Sequence, residues 1–150
     1  MIELKEIDPQ LAPMSLLLEA DPSEECINNY LPGSWCFAAY KQSKIIAVCI
    51  VKQTEPEIAE LFNIAVDSSI QAKGTGTKLL KFTLRLLQDK SIKSVNLGTG
   101  TFGHQLAFYQ RQGFRVDSVI KDFFVDNYDE PIVENGIQHK DMLRLVCHLN

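Results

Sequence analysis

Apolar and polar positions alternate along several stretches of this chain, a pattern typical of β-strands with one buried face. A four-residue polar connection, Lys41-Gln42-Ser43-Lys44, joins two apolar, β-rich runs at 34–40 and 45–53 and predicts a hairpin. The predicted strands lie at residues 2–7, 34–40, 45–53, 57–66, 93–97, 114–125 and 140–149.

Between these strands, apolar residues recur at the spacing of a helix. The predicted helices lie at residues 10–20, from the Asp21-Pro22-Ser23 cap to about 31, from Thr75 to about 90, and at 104–112. The order β-α-α-β-β-β-α-β-α-β-β favours an α/β (α+β) fold, a mixed sheet with helices on both faces. The strands at 57–66 and 93–97 should be parallel, because a helix joins them through a crossover. We expect one domain over residues 1–150.

Composition narrows the classes of function. The 150 residues are 45% apolar and 23% charged, and the formal net charge of −4 argues against nucleic acid as the main partner. The four cysteines form no C-x-x-C pair, so neither a metal site nor a redox motif is expected. The start of the chain has a strand pattern, and no apolar run approaches the ~18 residues of a membrane span. A cytoplasmic protein without membrane contact is predicted.

A glycine loop follows the strand at 57–66 and precedes the helix that begins at Thr75. It holds Gln71, Lys73, Gly74 and Gly76. Unpaired N–H groups at a helix start can hold a phosphate, and glycine lets the backbone approach it closely. A Walker A loop is excluded, because Gly76 is not followed by Lys-Ser/Thr. A Rossmann fingerprint would need a third glycine where Leu79 stands. A plain helix-opening turn is the structural alternative.

The spacing Gln-x-x-Gly-x-Gly resembles the acyl-coenzyme A loop of the GNAT N-acetyltransferase superfamily. A second segment, LAFYQRQGF at 106–114, resembles the family's later motif, a tyrosine on a short helix before Gly-Phe. The resemblance implies a mostly antiparallel sheet and acetyl-CoA as co-substrate for acetylation of a primary amine on a small molecule, protein or peptide. It places the coenzyme between two splayed strands. The implied coenzyme contacts are Ile64, Ala65 and Val66 for the carbonyl and pantetheine arm, and Gln71, Lys73, Gly74, Thr75, Gly76 and Thr77 for the phosphates.

The same resemblance implies two catalytic roles. Glu60 lies eleven residues before Gln71, where some members place a catalytic glutamate, and it would act as the base directly or through a water molecule. Tyr109 would protonate the departing thiolate, because a phenol stays protonated at neutral pH. The alternatives are a solvent-facing or lysine-paired Glu60, and a Tyr109 that packs beside Phe108.

The acceptor side is less defined. Residues 116–134 hold six acidic side chains against one basic side chain, a balance that would attract a cationic amine or merely solvate a loop. The acidic residues are Asp117, Asp122, Asp126, Asp129, Glu130 and Glu134. Phe123, Phe124 and Tyr128 in this stretch could line an acceptor pocket or a homodimer contact.

Two rival interpretations stay open. Gly98, Gly100 and Gly103 form a literal G-x-G-x-x-G with Asp117 nineteen residues after Gly98, the pattern of a dinucleotide or S-adenosylmethionine site. A GNAT fold could also bind acyl-coenzyme A without catalysis. Residues 100–104 lack an asparagine that many family members carry, and the tail at 122–145 is similar to a group of bacterial GNAT proteins.

Overall fold

The fold of the chain is seen in a computed structural model that describes residues 1–70 and 74–150. Its strands are β1 Ile2–Ile7, β2 Trp35–Lys41, β3 Lys44–Glu55, β4 Ile58–Val66, β5 Ser94–Gly100, β6 Arg115–Ile120, β7 Val133–Glu134, β8 Ile137–Gln138 and β9 Met142–His148. Its helices are a 3-10 turn at Pro9–Leu11 and α1 Met14–Ala20, α2 Glu24–Tyr30, α3 Thr75–Asp89, α4 His104–Arg111 and α5 Phe123–Asn127. None of the described helices has the length and apolar character needed to cross a membrane.

The main sheet has the strand order β1-β2-β3-β4-β5-β9-β6. Every neighbouring pair in it is antiparallel except β4 and β5, which are parallel. The predicted mixed, mostly antiparallel sheet is therefore confirmed, as is the parallel crossover through α3.

Helices cover the two faces of this sheet. Leu79, Leu80 and Leu87 of α3 join one buried cluster with the residues of β2, β3 and β5. Leu17 of α1 and Ile27 of α2 join the second cluster on the opposite face. The prediction of helices on both faces is confirmed, and the sheet holds the core between the two helical layers.

Local sequence explains several boundaries. Gln42 and Ser43, with φ of 51° and 66°, form the two-residue turn between β2 and β3, because left-handed turns match the twist of a hairpin. The Ser23 side chain caps α2 by accepting the N–H of Cys26 at 3.1 Å, within the predicted cap segment, but Pro22 precedes the helix and does not lie in its first turn. α3 begins at Thr75, where the glycine loop predicted it to begin.

A gap opens between the two parallel strands. β4 and β5 pair only where Ile58, Ala59 and Glu60 lie opposite residues 94–96. Past Glu60, β4 stays paired with β3 as far as Val66, and β5 stays paired with β9 as far as Gly100. The described parts of the two strands therefore diverge toward their C-terminal ends, as the family resemblance implied.

A β-bulge at Phe62 changes which way the residues of β4 face. Val51 pairs with Leu61 while the adjacent Ile50 pairs with Asn63, so Phe62 is an extra residue. Consequently Phe62 packs against the α1–α2 cluster, whereas Ile64 packs against the α3 cluster. An unbroken alternation would place Phe62 and Ile64 on the same face, and that expectation is wrong.

The C-terminal third departs most from the prediction. The strand predicted at 114–125 ends at Ile120 because Asp122 adopts a left-handed φ of 58° and donates its N–H to the Asp141 carboxylate. Residues predicted as its end form α5, and the β7–β8 hairpin was not predicted. The antiparallel pairing of the two late strands, β6 and β9, is confirmed.

Candidate active site

Two cavities meet where β4 and β5 diverge. The larger one has a volume of about 930 Å³ and lies between the β4–β5 floor, α2, α5 and the β7–β8 hairpin. The smaller one, of about 320 Å³, lies between the end of β4, α3 and α4. Ala20, His104 and Gln105 line both cavities. A long ligand could therefore occupy the small cavity and reach into the large one.

The small cavity collects several residues that the sequence singled out. Ile64, Ala65, Val66, Gly76 and Tyr109 all line it. This places the end of β4 beside the first turn of α3, and backbone N–H groups at a helix start suit an anion.

The loop residues themselves are only partly described. Gly74 precedes α3 in a left-handed conformation, with φ of 79°, which an L side chain rarely adopts. Thr75 is buried and Thr77 is half-buried in the first turn of the helix. The predicted contacts Gln71 and Lys73 lie outside the described residues.

Tyr109 lies at the inner end of the small cavity and is only 6% exposed. Its ring meets those of Phe108 and Phe114 edge-on, at centroid distances of 5.3 and 5.8 Å. Burial raises the pKa of its phenol well above the ordinary value, because the phenolate would be poorly solvated there. The hydroxyl therefore remains protonated and able to donate a proton at neutral pH.

Glu60 lines the large cavity near the start of the gap and forms a two-point ion pair with Arg144. The two hydrogen bonds from the guanidinium to the carboxylate measure 3.0 and 2.8 Å, and each side chain is 21% exposed. Arg144 lies on β9, so its side chain must cross β5, where its paired residue is Gly98. Sequence analysis missed Arg144, because 84 residues separate it from Glu60.

The G-x-G-x-x-G glycines accommodate side chains of the C-terminal third. A Cβ at Gly98 would collide with the Met142 side chain, and one at Gly100 would collide with the His139 ring. A Cβ at Gly103 would lie 2.7 Å from a carboxylate oxygen of Glu134. Packing thus accounts for the three glycines without a dinucleotide.

His139 is fixed from several directions on the wall of the large cavity. Its Nε2 lies 2.9 Å from the Glu134 carboxylate, and its ring stacks on Phe102 with a centroid distance of 4.1 Å. Its Nδ1 is buried and has no hydrogen-bond partner in the part of the chain that the structure describes. The residue is 8% exposed.

Asp21 also lines the large cavity, and it is likewise 8% exposed. Its carboxylate accepts hydrogen bonds from the hydroxyls of Tyr30 and Tyr128, at 3.0 and 3.1 Å, and from the Ser23 N–H at 3.1 Å. Burial, with the nearby Asp21 charge, raises the pKa of both phenols, so both hydroxyls stay donors. The Tyr128 bond ties the chain after α5 to the start of α2.

The acidic stretch contributes less to the cavity than its composition suggested. Of its six carboxylates, only Glu134 lines the large cavity. The other carboxylates of the lining are Asp21, Glu25 and Glu60. Of the two alternatives for the aromatic side chains, the structure places Phe123, Phe124 and Tyr128 in the cavity wall.

Comparison with known proteins agrees with this geometry. Residues 32–116 match the family model described as the acetyltransferase (GNAT) domain. A Bacillus subtilis (strain 168) protein named as the uncharacterized N-acetyltransferase YvbK is 39% identical over 135 residues, which cover 89% of this chain and 87% of that protein.

Two solved structures are similar over nearly the whole chain. The IAA acetyltransferase from Bacillus cereus ATCC 14579 has a TM-score of 0.93 and 37% identity, with coverage of 99% of this chain and 100% of that one. A GNAT family acetyltransferase from Elizabethkingia anophelis, solved with acetyl-CoA bound, has a TM-score of 0.92 and 38% identity, with coverage of 99% and 98%.

Proposed function

Because this chain belongs to the GNAT family of acetyltransferases, we propose that it transfers the acetyl group of acetyl-CoA to a primary amine by direct attack. The observation that carries the proposal is the gap between β4 and β5, where the two cavities meet. The coenzyme would fill the small cavity and the amine the large one. The acetyl group would then lie at their junction.

Coenzyme binding follows from the small cavity. Backbone N–H groups at the start of α3, from Gly74 to Thr77, would hold the diphosphate, and Gln71 and Lys73 complete the proposed contacts. The pantetheine arm would run along Ile64–Val66, beside the opening left by β5. The Elizabethkingia relative, which has acetyl-CoA bound, supports this choice of co-substrate.

Tyr109 is the proposed acid. The amine nitrogen attacks the thioester carbonyl, the carbon–sulfur bond breaks, and the sulfur leaves as a thiolate that needs a proton. The position of Tyr109 in the small cavity supports its donating that proton, and its phenol carries the proton at neutral pH. The phenolate that results is poorly solvated, so it should regain a proton quickly before the next cycle.

Glu60 is the proposed base, acting through a water molecule. Arg144 donates one hydrogen bond to each carboxylate oxygen, and each oxygen keeps a lone pair for a water molecule. The incoming ammonium would lose its proton through that water, since only the neutral amine is a nucleophile. Arg144 would position the carboxylate by holding both oxygens.

The test is turnover by the purified chain. Thiol release from acetyl-CoA is measured over a panel of primary amines, and mass spectrometry checks that the amine gains one acetyl group. The proposal expects release that depends on the amine. Coenzyme binding with no turnover across the panel would favour a non-catalytic binding module.

We propose the cytoplasm as the compartment of this protein, and the four free cysteines suit reducing conditions there.

A further inference from the structure

We propose that the acceptor is an arylalkylamine: a cationic primary amine on a short linker from an aromatic ring, without a carboxylate. This inference rests on the proposed function and names the class of amine that the large cavity selects. Three observations carry it: the aromatic walls, the balance of charge, and hydrogen-bond acceptors that the protein leaves unused.

Aromatic rings form much of the cavity wall. They include the rings of Tyr30, Phe62, Phe102, Phe124, Tyr128 and His139. Tyr30 and Phe62 stack at 4.9 Å with an interplanar angle of 12°, and Phe124 meets the His139 ring at 5.8 Å. Such walls favour a flat apolar group between them, and their faces attract a cation. A small polar amine would leave this surface wet.

Contacts within the chain hold this aromatic wall in place. Phe102 stacks on His139, whose ring occupies the space that a side chain at Gly100 would fill. The Phe124 N–H donates to the carbonyl of Lys140 at 2.9 Å. This bond fixes α5 against the residues just before β9. The rings are therefore held in place before any ligand arrives, a condition that favours tight and selective binding.

The charge of the cavity lining selects the amine end of the acceptor. Four carboxylates line the cavity against two cationic side chains, with His104 and His139 taken as neutral. The carboxylates are Asp21, Glu25, Glu60 and Glu134, and the cations are Lys52 and Arg144. Because Arg144 is already bound at two points by Glu60, it is not available to grip an acceptor carboxylate. The excess negative charge favours an amine over an amino acid.

The Asp21 carboxylate keeps acceptor capacity that the described residues leave unused, which suits a ligand that donates hydrogen bonds. A carboxylate has about four acceptor sites, and the three bonds to Asp21 leave Oδ2 with room for one more. An ammonium has three N–H donors, so it suits a cavity with more acceptors than donors.

The first experiment measures kcat/KM for matched acceptors at saturating acetyl-CoA, with the full chain. Phenethylamine supplies ring and amine, L-phenylalanine adds a carboxylate, ethylamine lacks the ring, and spermidine replaces the ring with further charge. We expect phenethylamine to exceed each of the other three by about tenfold or more. A higher value for phenylalanine or spermidine would overturn the inference.

The second experiment removes single features of the wall. Phe124→Leu keeps an apolar side chain but loses the ring, and should lower the phenethylamine-to-ethylamine ratio about tenfold. Val125→Ala is the matched control, because Val125 is 46% exposed on the same helix and lies outside the cavity lining. Phe102→Leu repeats the test on another element. Melting temperature and coenzyme affinity show whether each variant is folded.

Asp21→Asn tests the charge. It should lower kcat/KM for phenethylamine about tenfold and reduce the discrimination against phenylalanine. Glu24→Gln, at an exposed residue of α2 outside the cavity lining, should change little. Unchanged ratios in the Phe124, Phe102 and Asp21 variants would overturn the inference while leaving the proposed function in place. Bound acetyl-CoA with no turnover of any amine would instead refute the proposed function.

Discussion

Replacing Gly100 with alanine tests the packing that builds the wall of the large cavity. Gly100 lies on β5 with an ordinary φ, so alanine brings no backbone strain of its own. Its new Cβ would overlap the Nδ1–Cε1 edge of the His139 ring. That ring cannot easily move, because Phe102 stacks on it and Glu134 holds Nε2. The change should therefore displace the β7–β8 hairpin or strain it.

The expected cost follows from overpacking a filled site. Adding one carbon to a well-packed region costs about 1–3 kcal/mol. For a chain of 150 residues each kcal/mol lowers the melting temperature by about 2–4 °C, so Gly100→Ala should melt about 2–12 °C lower. Chemical denaturation at constant temperature gives the free energy of unfolding directly.

A double-mutant cycle separates this contact from other effects of the alanine. His139→Ala removes the ring, so Gly100→Ala should cost little in that background, with a coupling of about 1–2 kcal/mol. The same loss of stability with and without the ring would refute the claim that His139 occupies the space left by Gly100. A fully stable Gly100→Ala single variant would refute it as well.

Three further outcomes follow from the site. Glu60→Gln should lower kcat/KM by about 10²–10⁴. The control Glu55→Gln, at an exposed residue of β3, should leave kcat/KM unchanged. Equal activity of the two variants would show that Glu60 is not the base. Tyr109→Phe should lower kcat with little change in the Kd of acetyl-CoA by calorimetry, and an unchanged kcat would remove it as acid. Burial raises the pKa of the Cys36 and Cys49 thiols to about 12, so the folded state keeps both protonated while the unfolded chain ionises near pH 9. This contribution to the free energy of unfolding is complete below about pH 9 and is lost as pH rises toward 12. Urea unfolding between pH 8 and 11 measures the loss. A free energy of unfolding that rises over this range would contradict the prediction.

Elements with long periodic patterns were predictable from sequence. β3, β4 and α3 appear where their apolar patterns placed them, because β3 and β4 lie between the two buried clusters and α3 packs its apolar face on one of them. The glycine loop marked the start of α3 at Thr75, since Gly74 directly precedes the helix and Gly76 lies in its first turn. These predictions needed only neighbouring residues.

The features that complete the cavity depend on distant residues. The bulge at Phe62 and the divergence of β5 from β4 arise from the way three strands pair, and no single stretch encodes them. Arg144 reaches Glu60 only because β9 pairs beside β5. The bulge, the divergence of the strands and the Arg144–Glu60 pair leave no signal within a short window of sequence.

The stretch Phe123-Phe124-Val125 misled the prediction for a physical reason. Its residues favour strands, but an edge that pairs with no further strand gives that preference little support. Phe124 instead donates its N–H to Lys140, and its ring packs in the aromatic wall. The two-residue strands β7 and β8 are too short for any alternation to be visible.

A crystal structure of this chain with coenzyme A bound would test the central claim most directly. The account predicts the diphosphate at the first turn of α3, the pantetheine arm along Ile64–Val66, and the sulfur in the gap between β4 and β5 within reach of the Tyr109 hydroxyl. A coenzyme bound elsewhere, or a gap that stays closed to it at saturating concentration, would contradict the account.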